Sequence, residues 1–174
     1  MVITKKAQVW IETVTYILIA FALIGLILAF ARPKIQEYQD KSILEQSSKM
    51  MKVLDETIRE VGNEAVGNKR NIDLRVRKGT LEINPQNNTL TFIMDSKYIY
   101  SELGKTISEE NLFVTTTAKG KFNEVKMYLN YTGEYDLLQN NLTETKILTT
   151  SSTDYDLYIS NKGGSPIQID IEID

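Results

Sequence analysis

Lys5-Lys6-Ala7-Gln8-Val9-Trp10-Ile11-Glu12-Thr13-Val14-Thr15-Tyr16-Ile17-Leu18-Ile19-Ala20-Phe21-Ala22-Leu23-Ile24-Gly25-Leu26-Ile27-Leu28-Ala29-Phe30-Ala31 is the stretch that decides how the rest of the chain is read. No charge falls between Glu12 and Arg32, so residues 13–31 are free to form one apolar helix. At about 1.5 Å per residue that helix is about 28 Å long, close to the ~30 Å hydrocarbon layer of a bilayer. Its front edge is unusual. Two lysines, a small residue, Gln8 and a lone Glu12 stand directly against the apolar run. A carboxylate in a membrane helix costs roughly 2.5 kcal/mol or more at mid-bilayer and less near the interface. Its presence asks for a role.

That edge resembles the processing site of archaeal type IV pilins and archaellins, the class III signal peptide. In that family a basic pair precedes a small residue and a Gln, a peptidase cuts between the last two, and the fifth mature residue is Glu. Here Lys5, Lys6, Ala7 and Gln8 occupy the processing pattern, and Glu12 is fifth counting from Gln8. Two positions depart from it: Ala7 stands where Gly is usual, and Trp10 where Ser is common. The resemblance covers residues 1–60; beyond them only the general layout of the family is recognisable. It implies a leader at 1–7, an assembly role for Glu12, a prepilin peptidase and filament machinery as partners, and a cell-surface filament with adhesion or motility as its use. Two other readings stay open. Residues 16–28 followed by Ala29-Phe30-Ala31 imitate a Sec signal peptide, although Glu12 intrudes before its core. A plain single-pass anchor is the second, and the flanking charges do not choose, since Lys5 and Lys6 face Arg32 and Lys34 across the span.

Composition narrows the classes of function. The chain has 174 residues and a net charge of −3, more negative still if Lys5 and Lys6 leave with a leader. An acidic balance argues against nucleic acid, which demands a basic stripe. Cysteine and histidine are both absent. Disulfides, thiolate metal sites and Ser–His or Cys–His nucleophile pairs go with them. No enzyme, cofactor or metal centre is expected.

Past Ala31 the helical pattern continues. Pro33 lacks an N–H and clashes with the preceding turn, so it should bend the helix there. Ile43, Ser47, Met50, Leu54, Ile58 and Val61 recur at spacings of three and four, one face of an amphipathic helix that covers its own head domain. Glu37–Lys41, Glu45–Lys49 and Asp55–Arg59 are acid-first i,i+4 pairs, and Gly62-Asn63 supplies the stop. The helix is therefore expected over 8–61, with 8–31 for membrane or filament core and 32–61 amphipathic.

From Asn71 the period shifts to two. Ile72, Leu74 and Val76 alternate with charged residues; Leu81 and Ile83, then Leu90, Phe92 and Met94, flank Pro85-Gln86-Asn87-Asn88, which reads as a hairpin turn. Residues 95–111 are harder to read. Val125, Met127, Leu129 and Tyr131 alternate next, entered by a turn at Ala118-Lys119-Gly120-Lys121. Tyr155, Leu157 and Ile159 lead through Gly163-Gly164 to Ile167, Ile169, Ile171 and Ile173. The fold class expected is α+β: a long N-terminal helix, then about eight short strands as a small antiparallel sandwich-like or open-barrel head over 69–174.

Chemistry in the head is sparse. Glu109-Glu110, Asp154/Asp156 and Asp170/Glu172/Asp174 are its carboxylate groupings, and the last set is expected on a solvated strand face, with Ca²⁺ or a neighbouring Lys as relief for its repulsion. Three N-x-[ST] sequons make Asn87, Asn130 and Asn141 candidate glycan acceptors, all at expected turns or strand ends. The function expected is a structural, pilin-like subunit, a single-pass membrane protein before self-association into an extracellular filament. A tethered binding module that does not polymerise and an archaellin are the alternatives.

Overall fold

The structure, a computed structural model, describes residues 5–174, with side chains from Val9 onward. One helix, α1, runs Lys5–Asn63 and includes Pro33. It starts three residues before the expected bound and ends two after it. Ten strands follow rather than about eight: β1 Lys69–Leu74, β2 Thr80–Asn84, β3 Thr89–Ser96, β4 Thr106–Glu109, β5 Leu112–Lys119, β6 Phe122–Asn130, β7 Tyr135–Gln139, β8 Lys146–Thr149, β9 Tyr155–Gly163 and β10 Ile167–Ile173. The chain divides into two compact units, one up to Tyr38 and the other Gln39–Asp174. The second half of α1 thus folds with the strands.

Two sheets make up the larger unit. One has the order β4-β5-β6-β3-β2-β8, and the other β1-β9-β10-β7. All pairs in the six-stranded sheet are antiparallel. In the smaller sheet β10 runs parallel to β7, Ile169 opposite Leu137. The purely antiparallel expectation is corrected there. Alternation assigns side chains to faces but is silent on strand direction, so periodicity could not have shown it.

The local signals explain the turns. Between β2 and β3, Pro85–Asn87 forms a 3-10 turn in which the Asn87 amide donates to Asn84 Oδ1 at 3.1 Å, and Asn88 closes it at φ 51°. Before β2, Gly79 sits at φ 88°, and a Cβ on it would lie 2.3 Å from the Ile93 carbonyl oxygen. The obscure stretch 95–111 holds the end of β3, a loop over 97–105, and β4.

One core joins the two sheets and the helix. Leu44, Met51, Leu54, Ile58 and Val61 from α1 are buried with Leu81, Phe92, Met94, Val125 and Met127 from the larger sheet and Leu157, Ile159, Ile169 and Ile171 from the smaller. The expected stripe is right from Leu54 onward and rotated before it. Asp40, Leu44, Ser48 and Met51 are buried, whereas Ile43, Ser47 and Met50 are half-buried and line a groove of about 270 Å³ with Ile72, Arg75 and Arg77. The sequence reading followed the apolar residues; the core follows Asp40 and Ser48, because both have polar partners inside it. Of the three i,i+4 pairs, Asp55–Arg59 forms at 3.0 Å. Glu37 instead meets Lys34 at 2.8 Å and Glu45 meets Lys41 at 3.8 Å.

Candidate functional site

From Val9 to Phe30 the helix presents apolar side chains in every direction. Trp10 is 68% exposed, Leu18 62% and Leu23 57%, and at 3.6 residues per turn these three face different sides of the helix. The polar groups in this span turn inward on the helix itself. Thr13 Oγ1 donates to the Val9 carbonyl at 2.9 Å and Thr15 Oγ1 to that of Ile11 at 2.8 Å. Bonds of that kind satisfy hydroxyls where no water is available. Gly25, with Leu28, Ala29 and Arg32, leaves a shallow hollow, and nothing lies within 4 Å of where its Cβ would be. The helix is long and apolar enough to cross a bilayer.

The processing pattern meets the edge of what is described. The backbone of Lys5, Lys6, Ala7 and Gln8 is helical, their side chains lie outside the described residues, and so do residues 1–4 of the expected leader. Glu12 is on the same helix with its side chain exposed, one turn beyond Gln8.

Inside the larger unit two carboxylates on α1 tie the helix to the strands. Asp40 accepts from Lys78 Nζ at 2.6 Å and from the Lys97 backbone amide at 2.7 Å. Asp55 accepts from Arg59 Nε at 3.0 Å, Asn111 Nδ2 at 2.8 Å and the Tyr131 hydroxyl at 3.1 Å. Arg59 reaches on to Glu134 at 2.8 Å. Burial, and then the Asp55 charge, pushes the Tyr131 phenol far up, so it stays a neutral donor. Burial alone would lower Arg59, but Asp55 and Glu134 outweigh it and hold the guanidinium charged. Together these bonds clamp α1 to the strands and their connections. Sequence reasoning took Asp55 as half of an i,i+4 pair and Tyr131 as one of an alternating strand face, and passed over Asp40. The available signal was their position: Asp40, Leu44, Ser48, Met51, Asp55 and Ile58 follow one another at the spacing of a buried stripe.

Of the carboxylate groupings, Asp154/Asp156 and Asp174 come near one another, while Glu109-Glu110 and Asp170 have surroundings of their own. Glu109 and Glu110 share Lys52 at 3.6 and 3.9 Å, and Asp154 meets Arg75 at 3.5 Å. Asp170 corrects the expectation of a solvated strand face, for it is fully buried. Its Oδ1 accepts from the Asn141 amide at 2.8 Å, and Lys162 Nζ stands 3.3 Å from Oδ2. The loop after β7 covers it, which the alternation of β10 alone could not foretell. Glu172, beside it, pairs with Lys69 and Lys162. Among the described residues no three acidic side chains converge as a metal site requires.

All three sequon asparagines are exposed. Asn87 and Asn130 are neighbours: Thr132 Oγ1 donates to the Asn87 carbonyl at 3.1 Å, and Asn130 is the cross-strand partner of Thr89. Asn141 lies apart, in the tight turn that leaves β7, where Asn140 and Asn141 have φ of 51° and 62°.

Comparison with protein-family models, curated proteins and solved structures finds no match. The functional reading therefore stands on the residues and their geometry.

Proposed function

We propose that the chain is a pilin-like structural subunit of an archaeal type IV filament, inserted in the membrane as a precursor, cut between Ala7 and Gln8, and assembled through its N-terminal helix. The observation that carries this reading is the helix surface from Val9 to Phe30, apolar on every side and exposed. A surface of that kind needs lipid or other apolar helices around it. Bundling identical helices in a filament shaft would bury it, at roughly 25 cal/mol per Å² removed from water. In this reading residues 1–7 are the leader, 8–31 the membrane and shaft segment, 32–61 the amphipathic continuation, and 69–174 a sandwich-like head displayed outside the cell with glycans at Asn87, Asn130 and Asn141. The same helix serves a tethered binding module that does not polymerise or an archaellin. Recovery of filaments built from this chain separates the first from the subunit reading, and loss of swimming on deletion identifies the second.

Cutting at Ala7–Gln8 would create a positive amine on Gln8 one helical turn from Glu12. Between subunits shifted along a filament axis, that amine and the next Glu12 would pair and set the axial register, since a charge in a dry shaft must be paired or neutralised. Glu12→Gln keeps the size and removes the charge. The variant is expected to be cleaved normally, to accumulate in the membrane and to give few or no filaments by electron microscopy. A normal filament yield with cleavage confirmed by N-terminal sequencing would leave the register role without support. Finding Met1 or Arg32 as the N-terminus of the native protein would replace the whole reading by a plain anchor or a Sec-exported protein.

A further inference from the structure

We infer that the β5–β6 hairpin tip docks on anionic lipid headgroups while the subunit is anchored in the membrane. The tip is Lys119-Gly120-Lys121-Phe122, with Gly120 at φ 61° making the turn. Phe122 is 39% exposed there. Lys97 spans the tip, its Nζ donating to the Lys121 carbonyl at 2.8 Å and lying 4.1 Å from the centre of the Phe122 ring. Lys119 is matched by Glu124, whereas Lys97 and Lys121 have no carboxylate partner among the described residues. Asp95, exposed and opposite Glu124 across β3 and β6, is the second carboxylate here, so Lys97, Lys119 and Lys121 against Asp95 and Glu124 leave one net positive charge beside the exposed Phe122, in a chain of net charge −3. Aromatic rings and lysines of this kind settle at the headgroup level of a bilayer.

Position selects the partner. The backbone amide of Lys97 is hydrogen-bonded to Asp40, so the tip belongs to the end of the larger unit where α1 enters it. Only nine residues of chain lead from Ala31, the end of the uncharged run, to Asp40, so the larger unit is tethered closely at this end. β6 runs from Phe122 to Asn130, so the sequons at Asn87 and Asn130 lie at the opposite end, about 26 Å away along the strand. The unmatched lysines are at the tethered end, and two of the three glycan acceptors, Asn87 and Asn130, at the far one.

The inference rests on the membrane-anchored stage of the proposed subunit and is tested on the full chain reconstituted in vesicles. Phosphatidylcholine vesicles are compared with vesicles in which about a third of the lipid is phosphatidylglycerol. The chain has no cysteine, so Phe122→Cys and, as the far-end control, Gln86→Cys each carry a single environment-sensitive fluorophore. The label at position 122 should shift to the blue and be quenched by headgroup-attached quenchers in anionic vesicles only, reversibly with high salt. Position 86 should not respond. Lys121→Glu in the same background should cut the anionic-to-neutral ratio about fivefold or more. A second measurement uses the unlabelled wild type: lysine acetylation read by mass spectrometry should slow at Lys97 and Lys121, and not at Lys146, when anionic lipid is present. Flotation reports the anchored stage. A chain that fails to float overturns this inference together with the membrane reading. A chain that floats but responds equally in neutral and anionic vesicles, or equally at positions 122 and 86, overturns the lipid contact alone.

Discussion

Asp55 shows how much a single residue's role depends on partners that sequence spacing does not reveal. Its spacing to Arg59 marks an ordinary helical ion pair, of the kind worth a few tenths of a kcal/mol on a surface. Its position on the buried stripe marks something else, and the difference comes from Asn111 and Tyr131, 56 and 76 residues along the chain. Those two donors turn a surface pair into the hub of a satisfied network. Asp55→Ala would leave the Tyr131 hydroxyl and the Arg59 guanidinium without their shared acceptor. The expected loss is about 2–3 kcal/mol, at or just below the foot of the range for a broken buried pair, because Arg59 keeps some contact with water. Tyr131→Phe removes one donor and leaves Asp55 its other two partners, so about 1 kcal/mol is expected. Urea unfolding of residues 30–174 carrying each change measures both. Equal effects would mean that the carboxylate is not the hub.

At the scale of the element, β9 and β10 hold two groups whose charges answer pH in opposite senses. Hydrogen bonding from Lys69, helped by Lys162 against a burial penalty, holds Glu172 below the usual glutamate range. Its contribution is complete above the ordinary glutamate pKa and is lost as pH falls through the depressed folded value. Asp156, the cross-strand partner of Asp73, is pushed up by desolvation first and then by Asp73, Asp174 and Asp154. Its folded state binds protons more readily than the unfolded chain, so stability falls as pH rises from the ordinary aspartate pKa through the raised one. Thermal unfolding of two variants separates them. Glu172→Gln should lower the melting temperature near neutral pH and converge with wild type in acid. Asp156→Asn should raise it near neutral pH and likewise converge in acid, where the repulsion has already gone. The alternation that placed β10 was plain in Ile167, Ile169, Ile171 and Ile173, and so was the hairpin at Pro85–Asn88. That β10 runs parallel to β7, and that the loop after β7 buries Asp170, was not plain. Both depend on which distant strands meet, and each strand's pattern is compatible with several neighbours.

For the whole molecule, the change in period from 3.6 to 2 near Asn71 was enough to set out a helix followed by sheets. Likewise, the uncharged run between Glu12 and Arg32 was enough to mark the membrane-length segment. The order of ten strands in two sheets was not legible, because it is fixed by long-range pairing within a shared core and not by local pattern. The processing pattern at Lys5–Gln8 was legible only through family resemblance, since no packing calculation singles out a scissile bond. These scales meet in one prediction about solubility. The larger unit, Gln39–Asp174, contains its own core, with Leu44, Met51, Leu54, Ile58 and Val61 of α1 buried against both sheets. It has no need of the preceding apolar run to bury them. That run has the reverse property, since Val9 to Phe30 contributes exposed apolar surface on all sides. Residues 30–174 alone are therefore expected to be folded, soluble and monomeric, by circular dichroism and sedimentation equilibrium. The full chain should require lipid, detergent or a filament to stay dispersed. Adding residues 8–29 supplies roughly 25 cal/mol of driving force for each Å² that neighbours bury, and removing them withdraws all of it. Filaments formed in solution by residues 30–174 would transfer assembly to the head and end the role assigned to the helix.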